Sequence, residues 1–457
     1  MKINSLATIG VCLGVLTSGG VAWSQSITYG PIIGRGVTAD QMIVKWGTGA
    51  TNDPTSVGFR VKGAGNFTTV TGSSSKDHTV VLTGLSTDTQ YEYYVGSGAG
   101  QSATTSFATC PKPGEPMDIV FYGDSRSDMT EHQKVVDQIL TKAPEMVFES
   151  GDLRVDGTYA GYLSEFFPVV KTLAASTPFM AVPGNHEYNS SVASNYELLF
   201  PSPQPAGQAT RTYYSFTCGD ATFIGLDANL IGDMTQLAFL KSALAAAKAD
   251  ATVDHVFVWF HQSAYSPGQH GDSSTVKSDW VPLFDAAGSK VTAVFSGHDH
   301  IYARMNDGSQ VAYVVSGGAG AGLYTVSGSS SATVQVKKST YNFVLLHIVG
   351  GLVTATAYDD GGNQIDSFSL GMATPGSDGG VVPPGSDGGV VVPGADGGTG
   401  SGSGNGGGGG GNGAMGSQSG GCSISMGGGS GAPVGGAGVL AMLMIFGLAL
   451  RRRAARA

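Results

Sequence analysis

The chain has 457 residues, a length that suggests two or three domains. It is acidic, with 34 Asp and Glu against 24 Lys and Arg, and its one run of basic residues is Arg451–Arg453. This balance argues against binding to nucleic acid through the phosphate backbone. Only 13% of the residues are charged and 72 are glycine, too many glycines for a single compact domain.

The N-terminus has the pattern of an export signal. Lys2 precedes an apolar run at residues 9–16, and residues 22–24 form a small-x-small cleavage site. The apolar run is too short to span a bilayer. We therefore predict that residues 1–24 are a signal peptide and that the protein is exported, either to the cell surface or outer envelope or into the medium.

Residues 27–111 are predicted to form an all-β sandwich. Short alternating runs such as MIVKWGT and HTVVLTGL are separated by turn signals, the spacing that is typical of a sandwich. Trp46 and Tyr91 resemble the core tryptophan and the tyrosine corner of a fibronectin type III domain. No catalytic pattern is apparent here, so we interpret this segment as a folding or positioning module.

Two cysteines lie on either side of the next boundary. In an oxidising compartment Cys110 and Cys218 could form a disulfide. The alternative is a pair of isolated buried thiols.

Residues 115–371 show a different pattern. Apolar runs of strand length alternate with helical stretches such as TEHQKVVDQILTKA and MTQLAFLKSALAAAKA. This alternation predicts an α/β domain in which layered β-sheets are flanked by helices.

In this domain an apolar run repeatedly ends in a potential metal ligand. The segments are MDIVFYGDSR with Asp124, EMVFESGDLR with Asp152, FMAVPGNHEY with Asn185 and His186, VFVWFHQSAY with His261, and TAVFSGHDH with His298 and His300. Each motif alone is weak, because a Gly-Asp pair is usually a turn. In a sheet flanked by helices, however, ligands collect at the carboxyl ends of strands, so we expect these side chains to meet in one cleft.

In the order GD, GD, GNH[DE], H and GHxH, these motifs resemble those of the calcineurin-like metallophosphoesterases. With the N-terminal sandwich, the chain is most similar to the purple acid phosphatase branch over residues 27–371. The resemblance implies two divalent or trivalent metal ions, either Fe, Zn or Mn. It implies that Asp152 bridges the ions, that Asp124 and His300 complete the first position, and that Asn185, His261 and His298 complete the second.

Carboxylate, amide and imidazole donors suit such ions, and two ions against two carboxylates leave positive charge for a phosphoryl group. A pair of ions about 3.5–4 Å apart can activate water and steady the leaving oxygen, which gives in-line hydrolysis without a covalent enzyme intermediate. By resemblance His186 is not a ligand but an acid or charge stabiliser near the leaving group, and Glu187 orients it.

The sequence departs from the family pattern in two places. Arg126 stands where the superfamily often has the histidine of Asp-x-His, and Val155 stands where the purple branch has a tyrosine. The first position therefore lacks its usual fourth protein ligand, and tyrosinate-to-iron charge transfer is expected to be absent. We interpret Arg126 as a fork that binds phosphate oxygens, or alternatively as a salt-bridge partner beside the cleft.

Other candidates near the site are less defined. His270 matches a substrate-contacting histidine of the purple branch, the alternative being a polar loop residue. The glycines of VSGGAGAGLY, residues 315–324, are interpreted as backbone requirements rather than as a phosphate cradle. No role is assigned to His78, His132, His255 and His347, which fall outside the motifs.

The composition changes again beyond Met372. Near-repeats of PGSDGGVVP and a glycine-rich tract predict a flexible linker over residues 372–421. Residues 422–457 resemble the C-terminal sorting tails of myxobacterial surface proteins, with a Gly-Cys-Ser motif, an apolar segment and an arginine cluster. This resemblance implies a sorting peptidase that acts near Cys422, and the alternative is an ordinary single-pass membrane anchor.

The sequence thus predicts an exported, surface-tethered binuclear metal phosphatase that hydrolyses small phosphate monoesters, contacts the membrane through its C-terminal anchor alone and binds no nucleic acid. A phosphodiesterase or nucleotide-hydrolysing enzyme with the same ions is the nearest alternative, because one fold serves many substrates. A degenerate surface binding protein is the alternative from another class.

Overall fold

The computed structural model describes residues 26–96, 100–188, 193–205 and 207–371. The predicted signal peptide (1–24), linker (372–421) and C-terminal sorting segment (422–457) lie outside the described residues. Within the described ranges, no helix has both the length and the apolar character needed to cross a membrane.

The N-terminal part is a sandwich of two antiparallel sheets. Its strands are β1 (Ile27–Arg35), β2 (Met42–Thr48), β3 (Thr55–Val61), β4 (Thr68–Gly72), β5 (Asp77–Leu82), β6 (Gln90–Val95) and β7 (Thr105–Ala108). One sheet has the order β1-β2-β5 and the other β4-β3-β6-β7. Trp46 is fully buried between them, and the hydroxyl of Tyr91 accepts a hydrogen bond from the backbone N–H of Ser86, 2.9 Å away. The predicted core tryptophan and tyrosine corner are confirmed.

The second part contains two further sheets and their flanking helices. Its strands are β8 (Met117–Tyr122), β9 (Met146–Glu149), β10 (Phe179–Ala181), β11 (Tyr214–Cys218), β12 (Ala221–Gly225), β13 (His255–Trp259), β14 (Val291–Ser296), β15 (Tyr302–Asn306), β16 (Ala312–Ser316), β17 (Thr333–Lys338), β18 (Asn342–Val349), β19 (Leu352–Asp359) and β20 (Gln364–Gly371). Its helices are α1 (Met129–Lys142), α2 (Tyr159–Gly161), α3 (Phe167–Ser176), α4 (Ser194–Leu199), α5 (Met234–Ala249), α6 (Ser274–Asp279) and α7 (Val281–Phe284), with a π-helical turn at Tyr162–Phe166 and 3₁₀ turns at Asn185–Glu187 and Ala228–Leu230.

The two sheets pack face to face. One has the order β10-β9-β8-β18-β19-β20 and the other β11-β12-β13-β14-β16-β15-β17. Phe121 on β8 stacks on Phe295 on β14 with ring centroids 3.9 Å apart, in a core to which both sheets contribute. Residues of α1 and α3 cover the outer face of the first sheet, and residues of α5 cover that of the second. The predicted α/β fold of layered sheets flanked by helices is confirmed.

Strand direction decides where the motifs lie. In the first sheet β8, β9 and β10 are parallel, and in the second β12, β13, β14 and β16 are parallel. The carboxyl ends of parallel strands point to the same edge of a sheet. The segments that follow β8, β9 and β10 therefore carry predicted ligands at this edge of the first sheet. Those that follow β13 and β14 carry the others at the corresponding edge of the second sheet.

The sandwich and the α/β part belong to one compact unit. The ring of Tyr29 on β1 stacks on Phe167 at the start of α3, 4.8 Å between centroids, and the hydroxyl of Tyr93 donates to the carbonyl of Ala175, 2.7 Å away. Cys110, which follows β7, forms a disulfide with Cys218 at the end of β11, with the Cα atoms 5.2 Å apart. Of the two alternatives that the sequence left open, the disulfide is the one present, and it fastens the connection between the two parts to the edge of the second sheet.

Candidate metal centre

The predicted ligands are held by strained turns at the strand ends. Asp124, Asp152 and His298 all have left-handed backbone conformations, with φ of 59°, 57° and 70°. Such conformations cost non-glycine residues roughly 1–2 kcal/mol each. Close packing keeps them there: a Cβ at Gly184 would overlap the carboxylate of Asp152, and a Cβ at Gly297 would overlap that of Asp124. The turns therefore fix both carboxylates against neighbouring backbone.

Backbone amides orient these carboxylates. The N–H of His298 donates to Asp124 Oδ2 over 2.8 Å, and the N–H of His186 donates to Asp152 Oδ1 over 3.0 Å. Each carboxylate is thus tied to a motif far away in the sequence. The Oδ1 atom of Asp124 is left free by its bond and faces His300 and His261, whereas Oδ1 of Asp152 both accepts its bond and faces His261.

The imidazole of His261 is the hub of the cluster. Its Nε2 atom lies 3.1 Å from Asn185 Oδ1, 3.2 Å from Asp152 Oδ1 and 3.3 Å from His298 Nδ1. His300 Nε2 lies 3.5 Å from Asp124 Oδ1, which in turn lies 4.0 Å from His261 Nε2. All the predicted ligands therefore converge, and the ligand atoms of Asp124, Asp152 and His261 lie within 4.8 Å of one another.

The donor set fits a cation. Asp124 Oδ1 is buried and has no hydrogen-bond partner among the described residues. Burial raises the pKa of Asp124 well above its usual value, against the opposing charge of His261. Burial alone would lower the pKa of His261, but the carboxylates of Asp152 and Asp124 raise it to about 9. In the absence of an ion, the protonated imidazole of His261 provides positive charge that offsets the negative charge of these carboxylates.

The remaining imidazoles are in the form that binds metal. Burial, together with the neighbouring charge of His261, lowers the pKa of His298 to about 3, and burial lowers the pKa of His300 to about 4. Both rings are neutral near pH 7, which leaves a lone pair for an ion. Because the carbonyl of Gly322 can only accept, His300 Nδ1 carries the proton in their 2.7 Å contact, and the lone pair of Nε2 faces the site.

Arg126 lies inside the cluster. Its Nε donates to Asp152 Oδ2 over 3.1 Å, and its Nη2 donates to His300 Nε2 over 3.3 Å. The ion pair that we considered as one alternative is present, whereas the contact with a phosphate group stays a prediction. The side chain of Val155 is exposed, so nothing at this position replaces the family's tyrosine as a ligand.

His186 sits at the open side of the site. Its side chain is 29% exposed, and its Nε2 lies 3.7 Å from Asp152 Oδ2. The contact that orients the ring is a 2.5 Å hydrogen bond from Nδ1 to the carbonyl of Val155. The sequence led us to expect Glu187 in that position, and the structure shows a different contact for it.

Glu187 is buried beneath the second motif. Its carboxylate accepts hydrogen bonds from the backbone N–H groups of Asp152 at 2.9 Å, Leu153 at 3.0 Å and Gly184 at 2.7 Å, and from the hydroxyl of Tyr162 at 3.2 Å. Burial and the charge of Asp152 raise the pKa of Glu187 to about 7. Glu187 thus holds the loop that carries Asp152 rather than the imidazole of His186.

His270 covers the second position from outside. Its ring stacks on His298 with centroids 3.9 Å apart, and its backbone N–H donates to Asp299 Oδ1 over 2.8 Å. Two residues beside the site were not predicted from the sequence: Asp299, which also accepts from the hydroxyl of Ser266, and Tyr324, whose ring stacks on His300 at 4.0 Å. In the sequence, the one indication of a role for Asp299 is its position between the two ligand histidines. Nothing in the sequence indicates that Tyr324 stacks on a ligand.

The glycine-rich loop and the other histidines have structural contacts. A Cβ at Gly320 would overlap the carbonyl oxygen of Ser125, in agreement with a backbone requirement. The remaining histidines bond elsewhere: His78 to Thr48 and Thr55, His132 to Tyr122, His255 to Thr292 and the carbonyl of Gly350, and His347 to Asp118.

Comparison with known proteins agrees with this architecture. Residues 33–109 match the family model of the purple acid phosphatase N-terminal domain, and residues 117–302 match that of the calcineurin-like phosphoesterases. Together the two matches cover more than half of the chain.

Individual relatives are distant. An uncharacterized protein of Mycobacterium tuberculosis is 26% identical over 317 residues, which are 58% of this chain and 60% of that protein. Purple acid phosphatase 23 of Arabidopsis thaliana is 27% identical over 272 residues, or 50% of this chain and 57% of that protein. The chain thus spans about 60% of the length of the curated relatives it matches.

A solved structure shares the fold. Purple acid phosphatase PPD1 from yellow lupin (Lupinus luteus) seeds superposes with a TM-score of 0.67 at 19% identity, over 76% of this chain and 74% of that one. The family matches, this shared fold and the donor cluster lead to one assignment. Residues 117–302 form a calcineurin-like phosphoesterase domain, and residues 33–109 in front of it form a domain like the N-terminal domain of the purple acid phosphatases.

Proposed function

We propose that the protein is an exported, metal-dependent phosphatase that hydrolyses small phosphate monoesters. The observation that carries the proposal is the convergence on His261 of oxygen and nitrogen donors from separate strand ends, around the unpartnered Oδ1 of Asp124. The activities named for the relatives in purple acid phosphatase families support the choice of phosphate esters.

The protein's own residues would hold two ions. Asp152, Asn185, His261 and His298 offer the donors for one ion, and Asp124, Asp152 and His300 for the other. When bound, such a pair supplies a water nucleophile at neutral pH and positive charge for the phosphoryl group. This set of donors can bind Fe, Zn or Mn, so the identity of the metal depends on its availability and on the geometry of the site.

We propose that His186 serves the leaving group. The carbonyl of Val155 can only accept, so Nδ1 of His186 carries a proton and donates it in the 2.5 Å hydrogen bond. The ring is thereby fixed with Nε2 directed to the site, where it can hold or release a proton at the leaving oxygen of the ester. His270 lies next to His298 on the same open side and is our candidate for a contact to the substrate.

The test is hydrolysis of p-nitrophenyl phosphate by the purified protein. We expect activity that is lost to a chelator and restored by Mn²⁺, Zn²⁺ or Fe²⁺. Mutation of a residue that hydrogen-bonds to a metal ligand commonly lowers metal affinity or activity about 10–100-fold. Removal of a ligand itself should cost more, so His298→Ala is expected to lower kcat at least about 100-fold. His347→Ala is the matched control and should keep full activity, since this exposed histidine bonds to Asp118 at the far end of β8, away from the metal centre.

A parallel assay with bis-p-nitrophenyl phosphate separates the monoesterase from a phosphodiesterase. The proposal predicts the higher kcat/KM on the monoester. Faster turnover of the diester would reassign the substrate class, and full activity of His298→Ala would remove the metal mechanism altogether.

We further propose that this domain acts outside the cytoplasm on a C-terminal tether. The Cys110–Cys218 disulfide supports an oxidising compartment, and the signal and sorting patterns come from the sequence. N-terminal sequencing of protein recovered from the cell envelope should begin near residue 25, and Cys422→Ser should leave the C-terminal segment uncleaved. Recovery of uncleaved protein from the cytoplasm would contradict the proposal.

A further inference from the structure

The first ion position contains a positive side chain of the protein itself. That position is defined by Asp124, Asp152 and His300, and the guanidinium of Arg126 donates to two of these residues. It lies 3.1 Å from Asp152 Oδ2 and 3.3 Å from His300 Nε2. In the described part of the chain, Arg126 forms no hydrogen bond with Asn185, His261 or His298, which define the second position.

The guanidinium uses the lone pairs that an ion would need. His300 donates from Nδ1 to the carbonyl of Gly322, so its free lone pair is on Nε2, where Arg126 Nη2 donates. Asp152 Oδ1 is turned toward His261 and the N–H of His186, so Oδ2 is the oxygen that remains for the first position. Arg126 Nε donates to that same oxygen. An ion entering here has to displace both hydrogen bonds.

The arginine is also held in place. Its backbone N–H donates to the carbonyl of Asp152 over 3.2 Å, and its Nη1 donates to the hydroxyl of Ser127 over 3.3 Å. Gly320 packs so closely on this turn that a Cβ would overlap the carbonyl of Ser125. The side chain is only 16% exposed, so its charge is poorly screened by solvent. Moving the guanidinium away requires breaking a set of contacts rather than one.

Among the described residues, no further protein ligand makes up for the lone pairs that Arg126 occupies at the first position. Val155 stands at the place of the family's tyrosine, but its side chain is exposed and only its carbonyl reaches the site, where it binds His186. The first position therefore offers fewer donors than the second and has a fixed positive charge beside it. Like charges in a poorly solvated site repel strongly.

We propose that Arg126 is the resident cation of the first position, so that the protein binds one divalent ion tightly at the second position and another at least about 100-fold more weakly at the first. This inference rests on the two-ion site of the proposed function. It makes Arg126 a residue that sets ion stoichiometry, and the guanidinium together with a single ion still leaves positive charge for a phosphoryl group.

The test is a calorimetric titration of the full, chelator-stripped protein with Co²⁺, followed in parallel by the visible absorption of bound Co²⁺. Wild type should bind one equivalent tightly and the next at least about 100-fold more weakly. Arg126→Met removes the charge and both donors, and it should strengthen the weaker equivalent at least about tenfold while leaving the tighter one unchanged. Arg126→Lys retains the charge and should keep the weaker equivalent weak.

Two further sets of variants complete the design. Arg60→Met, in the sandwich, removes the same charge from an arginine bound to Glu92 and should change neither equivalent. In the otherwise wild-type protein, His298→Ala should abolish the tight equivalent, whereas His300→Ala should retain it. This pair tests the order of filling even where Arg126→Met does not fold, and circular dichroism reports folding of each variant.

The outcomes separate this inference from the proposed function. Two equivalents of equal affinity in wild type, or an unchanged weaker equivalent in folded Arg126→Met, would overturn the role of Arg126 and leave the two-ion phosphatase standing. Loss of the tight equivalent in His300→Ala would also overturn it. Absence of any Co²⁺ binding to wild type would remove both.

Discussion

Asp124 shows how a single side chain reports the need for a cation. It is fully buried, its backbone is left-handed, and its Oδ1 has no hydrogen-bond partner in the described part of the chain. A buried acceptor without a partner costs about 1–3 kcal/mol, and more when it is charged. In the ion-free protein this carboxylate is therefore a local source of instability that ion binding relieves.

Asp124→Asn is expected to stabilise the ion-free protein and to weaken ion binding. The amide is neutral, its oxygen can keep the hydrogen bond from the N–H of His298, and asparagine tolerates the left-handed backbone, so the variant removes a buried charge without straining the turn. We expect the free energy of unfolding of the chelator-treated variant to exceed that of wild type by about 1 kcal/mol or more, measured by urea denaturation.

Added metal should reverse this order. Ion binding stabilises the native state through mass action, so Mn²⁺ should raise the unfolding temperature of wild type by more than that of Asp124→Asn. An Asp124→Asn variant that is less stable than wild type without metal and gains equally from it would contradict the strained-carboxylate account.

The ligands themselves could be predicted from the sequence, because each follows an apolar run directly and strand ends gather at one edge. The contacts that orient them could not. His186, His261 and His300 are each fixed by a backbone carbonyl, of Val155, Ser150 and Gly322. A carbonyl is common to every residue type, so only the loop conformation reveals which one is used.

At the scale of elements, the alternation of strands and helices predicted the fold class but not the pairing. β18 lies beside β8 in the centre of its sheet although more than two hundred residues separate them, as in the pair His347 and Asp118. Apolar periodicity predicts a strand and the face it buries, whereas the neighbour depends on long-range packing. The sequence therefore assigned the antiparallel strands β18, β19 and β20 to the α/β domain but did not predict which strands they pair with.

The disulfide between Cys110 and Cys218 is the element-scale feature with the clearest energetic consequence. The two cysteines are 108 residues apart in sequence, so the bond closes a long loop that includes β8, α1 and the first three motif loops. A cross-link of this kind restricts the unfolded chain, and loss of a native disulfide typically costs about 2–5 kcal/mol.

We therefore expect the double variant Cys110→Ser/Cys218→Ser to lose about 2–5 kcal/mol of unfolding free energy while its metal centre remains assembled. Guanidinium denaturation of both proteins measures the difference, and Co²⁺ titration reports the centre. Equal stability of the two proteins, or loss of Co²⁺ binding in a folded double variant, would show that the bond has another role.

At the scale of the whole molecule, the sandwich packs against part of the α/β domain. Lys45 on β2 is buried and donates from Nζ to the carbonyls of Glu197, at 3.1 Å, and Leu198, at 2.6 Å. Burial lowers the pKa of Lys45 to about 7. Asp77 of the sandwich accepts from the hydroxyl of Tyr159 over 2.6 Å, at the start of the segment that leads into α3.

The contact between the sandwich and the α/β domain could not be predicted from the sequence. The sequence predicted a positioning module but not which of its residues contact the other domain. The residues that make it, such as Lys45 and Tyr29, lie in strands whose alternation accounts for the sandwich core alone. An interface between two predicted domains has no periodicity of its own, so its residues become recognisable only when both partners are placed.

The account as a whole depends on ions bound where the strand ends meet. The most direct measurement is X-ray diffraction from crystals soaked in Mn²⁺, with anomalous difference maps recorded on both sides of the manganese absorption edge. The account predicts a strong peak among Asp152, Asn185, His261 and His298, and a weaker one among Asp124, Asp152 and His300 beside the guanidinium of Arg126. Maps without a peak at either position, from crystals in which Mn²⁺ supports phosphate ester hydrolysis, would contradict it.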